Sequence, residues 1–136
     1  MPETAETEKL KITVLKKVGN SINPTKAPGP SNHWVGRKKI HARFCRTNDR
    51  SPNLFKFNIN PNTLEADYEL WICGEVGLFY LLPTSVMQAI YDDPEAYPDY
   101  RHPEIRVVSV DVAKDKVTYK TGGGKLDIAR YRNKTL

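Results

Sequence analysis

Between Lys9 and Asn48 the chain contains no aspartate or glutamate. That gap removes from the stretch the oxygen cage that a hard divalent cation requires. It also leaves the basic residues there without local counter-charges. Cysteine is scarce: Cys45 and Cys73 are the only two in 136 residues, too few for the disulfide framework of a small secreted scaffold. Neither belongs to a C-x2-C pair and no H-x3-H pair exists, so zinc has no local framework. His41 and Cys45 are four apart, which on an extended strand separates them by about 13 Å, too far to share one tetrahedral ion. No apolar run reaches the length of a bilayer span, and no early stretch has the form of a secretory signal. These absences predict an intracellular protein, cytoplasmic or, in a eukaryote, nuclear, with no membrane contact and no metal or other cofactor. Nucleotide-hydrolase and nucleophilic chemistry also lack a foothold. "KTGGGKL" (120–126) places Leu126 after Lys125 where a phosphate-binding loop needs Ser or Thr, and Ser85, Ser109 and Cys73 sit in no nucleophile elbow.

What is present is a strongly uneven charge distribution. Residues 1–60 hold 12 Lys and Arg against 4 Asp and Glu, residues 61–104 hold 1 against 9, and residues 105–136 hold 8 against 3, for a net charge of +5. A basic, acidic, basic order of this kind points to a polyanionic partner, since a surface of one sign raises both encounter rate and affinity for phosphates. The structural counterpart is an acidic middle that neutralises the basic ends within the fold.

The length suits one domain. "MPETAETEK" is acidic and without apolar periodicity, so residues 1–8 read as a solvated tail and 9–136 as the globular part. "KLKITVLKK" (9–17) alternates Leu10, Ile12 and Val14 with polar residues, the pattern of a strand with one wet face. Residues 19–33 hold two Gly, three Pro and three Asn and read as a long irregular loop. In "VGRKKIHARFCR" (35–46), Ile40, Ala42 and Phe44 alternate with Arg37, Lys39, His41 and Arg43; on a strand the basic residues form a stripe with about 7 Å between neighbours. "LFKFNIN" (54–60) repeats the alternation with Phe55, Phe57 and Ile59 inward, so the two strands are expected to pair as a hairpin with one cationic face that includes Lys56. "DYELWICG" (67–74) and "VGLFYLLP" (76–83) follow as strands, the second apolar on both faces and therefore expected in the centre of the sheet. Residues 85–93 read as a short helix with Val86, Ala89 and Ile90 toward the core, 94–104 as a proline-fixed loop, and 105–121 as a hairpin turning at "AKDK" (113–116). A glycine loop and one helical turn end the chain. The class is α+β: a mostly antiparallel or mixed twisted sheet with one or two short helices.

The run "FKFNINPNTLEADYELWICGEVGLFYLLPTSVM" (55–87) resembles the later core of restriction-endonuclease-like PD-(D/E)XK proteins, in which a strand opening with Asp-Tyr leads to a "YxIP"-like turn and a helix. The resemblance implies a nuclease ancestry, in which two acidic residues and a lysine on the preceding strands hold Mg²⁺. Here the E-x-K positions carry His41, Ala42 and Arg43, so it implies a domain that binds without cutting, used alone or as the recognition part of a restriction or defence assembly.

The sequence therefore predicts a non-catalytic nucleic-acid-binding domain, with DNA as the favoured partner. Arg37, Lys38, Lys39, His41, Arg43, Arg46, Arg50 and Lys56 would meet phosphates, and Asn32, His33 and Trp34 would be placed to contact bases. Trp71, Phe79 and Tyr80 read as core. Two alternatives stand beside this one. A small Mg²⁺-dependent nuclease would use Asp67 and Glu69, which share a strand face about 7 Å apart. A charged protein-interaction module would bind a partner protein or form a homodimer.

Overall fold

The computed structural model describes residues 4–121 and 125–136; the expected glycine loop at 122–124 lies outside them. The N-terminal segment departs from the sequence reading. Instead of a tail and a strand, Ala5–Val18 is a helix, α1, capped by Thr4, whose side chain accepts from Thr7 N. Glu6 and Glu8 sit in its first turn and Lys16 and Lys17 in its last, each sign where the helix dipole favours it. Lys11, Val14, Leu15 and Val18 are buried, an i, i+3, i+4, i+7 spacing that only a helix brings to one face. Gly19 ends α1 with its N–H on Leu15 O, and a Cβ there would run into the Val35 side chain.

Nine strands form two sheets among the described residues. β1 (Thr25–Lys26), β2 (Asn32–Val35), β3 (Lys38–Cys45), β5 (Tyr68–Cys73) and β6 (Phe79–Pro83) make the first, in the order β1-β2-β3-β5-β6. β4 (Leu54–Ile59), β7 (Arg106–Asp111), β8 (Lys116–Thr118) and β9 (Lys125–Asp127) make the second, in the order β4-β7-β8-β9. With α1 and α2 (Thr84–Asp92), the fold is α+β, as expected. The segment expected to be one irregular loop contains β1 and the start of β2. The expected β3–β4 hairpin does not form: β3 pairs antiparallel with β2 and parallel with β5, while β4 pairs with β7. The hairpin of β7 and β8 turns at 112–115, close to the expected position, and the final turn at Ala129–Tyr131 is 3-10.

Alternation within each strand divides the core in two. Val35, Ile40, Ala42, Leu70, Ile72, Phe79 and Leu81 of the first sheet pack with Val14, Leu15 and Val18 of α1. The other face contributes Trp71, Cys73, Tyr80 and Leu82 to a second cluster with Phe55, Phe57 and Ile59 of β4, Val108 and Val110 of β7, and Met87 and Ile90 of α2. In α2 it is Met87, not the expected Ala89, that turns inward with Ile90. β6 is apolar on both faces because one meets α1 and the other the second sheet. It lies at the sheet's edge, not its centre, and the C-terminal segment covers it: Asn133 N donates to Phe79 O (2.7 Å), and Phe79 N donates to Asn133 Oδ1 (3.0 Å).

Leu15→Ala removes a fully buried side chain from the seam between α1 and the sheet and should lower unfolding free energy by about 2–5 kcal/mol in a urea titration. The loop after α2 generates a pH dependence. Asp93 accepts from Glu95 N and pairs with Lys120, two residues past the end of β8, at 2.9 and 3.1 Å, and these contacts hold its carboxyl below the usual range. An acid with a lowered folded-state pKa contributes stability above its unfolded pKa and loses it as pH falls through the folded one. Asp93→Asn should therefore melt below the wild type at neutral pH, and the gap should close in strong acid.

Candidate nucleic-acid interface

β5 and β6 are covered by the second sheet, but the same face of β2 and β3 is not. Residues opposite each other in a ladder share a face, so the register Asn32↔His41, Trp34↔Lys39 and His41↔Glu69 puts Asn32, Trp34, Lys39, His41, Arg43 and Glu69 on one face of the sheet, where Asn32, His41 and Glu69 are buried, Lys39 and Arg43 half-buried and Trp34 exposed. This face forms the floor of a groove of about 500 Å³, lined by Asn32, Lys39, His41 and Arg43, with the 28–31 loop and residues Asn60, Asn62, Thr63 and Glu65 as walls. The 60–65 wall is itself set by sequence: Asn60 Oδ1 accepts from Asn62 N, and Pro61 opens a 3-10 turn at Pro61–Thr63.

A buried dyad underlies the groove. His41 is 2% exposed and Glu69 5%, and His41 Nδ1 lies 2.7 and 3.0 Å from the two carboxylate oxygens, so its N–H is shared between them. Burial pushes the Glu69 carboxyl above its ordinary range, and the His41 hydrogen bond opposes that rise, helped by the charges of His41, Arg43 and Lys11. Lys11 itself is buried and donates to Ser31 Oγ at 3.3 Å.

The predicted contact residues fall into three places. Arg37 and Lys38 are exposed at the tip between β2 and β3; Lys39 and Arg43 line the groove, and Trp34 is 39% exposed on the same face. His41 lines the groove but is held inward by Glu69, in place of the solvent-facing position its alternation suggested. Arg46 and Lys56 lie in a separate depression with Cys45, Asn48, Ser51 and Leu54, because β4 belongs to the other sheet, and Arg50 is exposed on the 48–51 turn. His33 is buried, and alternation with Asn32 and Trp34 turns it to the face that α1 covers. Among the described residues, Lys116, Lys120 and Arg132 form ion pairs with aspartates, whereas Arg37, Lys38, Lys39 and Arg43 form none. Asp67 and Glu69 are both engaged within the sheet: Asp67 Oδ2 accepts the Lys39 N–H at 2.9 Å and Glu69 faces His41. No cluster of three or more metal-ligating His, Cys, Asp or Glu side chains occurs among the described residues, and no helix among them is long and apolar enough to cross a membrane.

Sequence reasoning allowed that Glu65, Asp67 and Glu69 could pair with the basic stripe but did not single out Glu69 with His41, and it missed Lys11 beneath the same sheet and the Asn60 and Asn62 wall. The asparagines flanking Pro61 were a readable turn signal. The dyad carried no local signal, since it depends on a pairing 28 residues apart in sequence. No protein-family model, curated protein or solved structure matches the chain.

Removing one member of a buried pair strands the other. Glu69→Ala should destabilise the protein by about 3–5 kcal/mol in urea unfolding, and Glu69→Gln, which keeps an acceptor for the Nδ1–H, by distinctly less. Equal midpoints for both variants and the wild type would show that the dyad does not hold the sheet.

Proposed function

We propose that this chain is a nucleic-acid-binding domain, directed at DNA, that holds its ligand along the open face of β2 and β3 and does not cut it. The observation that carries the reading is the placement of Lys39 and Arg43, without ion-pair partners among the described residues, along a groove beside the exposed Trp34. Arg37 adds positive charge at the hairpin tip beside this face, and Lys38, opposite Val35, adds it on the other face. Lys39 and Arg43 are four residues apart on one strand, about 13 Å, which suits phosphates two steps apart on an extended strand. The indole offers a stacking surface next to them, the combination used by proteins that track unpaired strands.

The nuclease alternative has less support, because both carboxylates it needs are turned to partners within the sheet. On the PD-(D/E)XK resemblance, the metal-holding positions would carry His41 and Arg43, and a role as the recognition part of a restriction or defence assembly is the corresponding proposal.

Fluorescence anisotropy of labelled single-stranded and duplex oligonucleotides, at two salt concentrations with Mg²⁺ present and the products run on a denaturing gel, tests the proposal. Binding should weaken steeply with salt while the oligonucleotide stays intact. Lys39→Ala with Arg43→Ala should flatten the slope of log K against log salt by roughly 1.4–1.8, the contribution of two phosphate contacts. Absence of binding at low salt, or an unchanged slope in the double variant, rejects this interface.

A further inference from the structure

Cys45 ends β3 and Cys73 ends β5, and the parallel register sets them opposite each other as its last pair. The ladder is closed up to that point, since Gly74 N donates to Cys45 O at 2.9 Å. Neighbouring strands lie about 4.8 Å apart, and side chains at matched positions point to the same side of the sheet. The two thiols therefore stand side by side on the face that also carries Arg43 and Trp71. Both are free, Cys73 buried and Cys45 half-buried, and Cys45 packs against the apolar cluster to which Cys73 belongs.

A disulfide needs Cα atoms about 4.4–6.8 Å apart and Cβ atoms about 3.5–4.5 Å apart. Matched positions on neighbouring strands meet the first range near its lower end, and a lean of the two Cβ atoms toward each other meets the second. That lean is easiest at this pair, because neither strand continues past it and the chain turns at once at Gly74, whose φ is 81°. The surroundings of the two thiols differ. Cys45 lines the depression that also holds Arg46 and Lys56, within reach of a small molecule in solution. Cys73 is 1% exposed. Burial first, and the neighbouring Cys45 second, push its thiol well above the ordinary range, and Arg132 opposes the rise. Cys73 is thus closed to an oxidant from solution and open to Cys45.

We infer that Cys45 and Cys73 form a reversible dithiol-disulfide site, oxidised through Cys45 by a small disulfide. The inference is independent of the nucleic-acid reading. The Cys45 sulfur, as thiolate, attacks one sulfur of the oxidant R–S–S–R; the S–S bond breaks, and the first R–S⁻ leaves and takes up the proton that Cys45 gave up. The Cys73 sulfur then loses its proton, attacks Cys45 Sγ and expels the second R–S⁻, which takes up that proton. One Sγ–Sγ bond forms, the two thiols lose two electrons, and the oxidant gains them as two R–SH. The bond ties the end of β3 to the end of β5 and holds their register covalently.

The test incubates the folded protein with glutathione disulfide and follows free thiols, intact mass and the linked peptide, before and after reduction by dithiothreitol. Both thiols should disappear with no glutathione retained, the mass falling by two hydrogens. A Cys45–Cys73 peptide should appear, and reductant should restore the starting mass. Because a denatured chain can also join its cysteines, oxidised and reduced protein are compared in urea. The oxidised form should unfold at a higher urea concentration, as expected of a cross-link that the fold accommodates. Cys73→Ser should stop at the first step and retain one glutathione. Unreacted thiols, a glutathione kept on Cys45 of the wild type, a dimer linked through Cys45, or an oxidised form no more resistant to urea than the reduced one would overturn the site. The wild-type series decides by itself, whether or not the variant folds.

Discussion

The parallel pairing of β3 with β5 is the constraint from which the rest of the structure follows. It sets His41 against Glu69 and Arg43 against Trp71, and on the reverse face Ile40 and Ala42 against Tyr68 and Leu70. A slip of one residue would put the basic residues under α1 and the apolar ones in the groove. A buried carboxylate facing a buried imidazole penalises that slip further, because the wrong register leaves each without the other. Parallel neighbours also need a long connection between them. The chain from 46 to 67 supplies it, and on the way contributes β4 to the second sheet and the 3-10 turn that walls the groove.

The elements that sequence alone made legible were those with strict alternation or strong punctuation. β3, β4, β5, β6, β7 and α2 fall near their expected spans because Phe55, Phe57 and Ile59, or Pro83 before the helix, admit few other arrangements. α1 was misread because Leu10, Ile12 and Val14 alternate while Lys11, Val14, Leu15 and Val18 also follow a helical spacing. Packing against Val35 and Leu70 decided between them. Strand partners were less legible still. Neighbours in sequence usually pair, yet the turn between β3 and β4 lets β4 leave for the other sheet. At the site the cationic alternation of Lys39 and Arg43 could be read directly. Whether His41 faced solvent or a carboxylate could not, because that depends on which strand lies alongside and in which register.

The uneven charge along the sequence resolves into two separate uses. Acidic residues of the middle segment reach the basic strand at two points, Glu69 on the His41 ring and Asp67 on the Lys39 backbone. Neither neutralises the side chains of Lys39 or Arg43 by an ion pair. In the basic C-terminal portion, by contrast, three of the eight cations are tied down by acids: Lys116, Lys120 and Arg132 each hold an aspartate, and Arg132 also donates to Val112 O. Ion pairs with aspartate thus hold cations of the C-terminal portion, while Lys39 and Arg43 on β3 form none among the described residues.

The two tryptophans occupy opposite kinds of surroundings. Trp71 is fully buried and stacked on Phe57 with ring centroids 5.0 Å apart and planes at 9°, while Trp34, opposite Lys39, is 39% exposed to water. An indole in an apolar interior emits at shorter wavelength than a hydrated one, so the intrinsic fluorescence of this protein carries two separable signals. The blue side of the spectrum reports whether the sheets are packed, and the red side reports what lies against the groove.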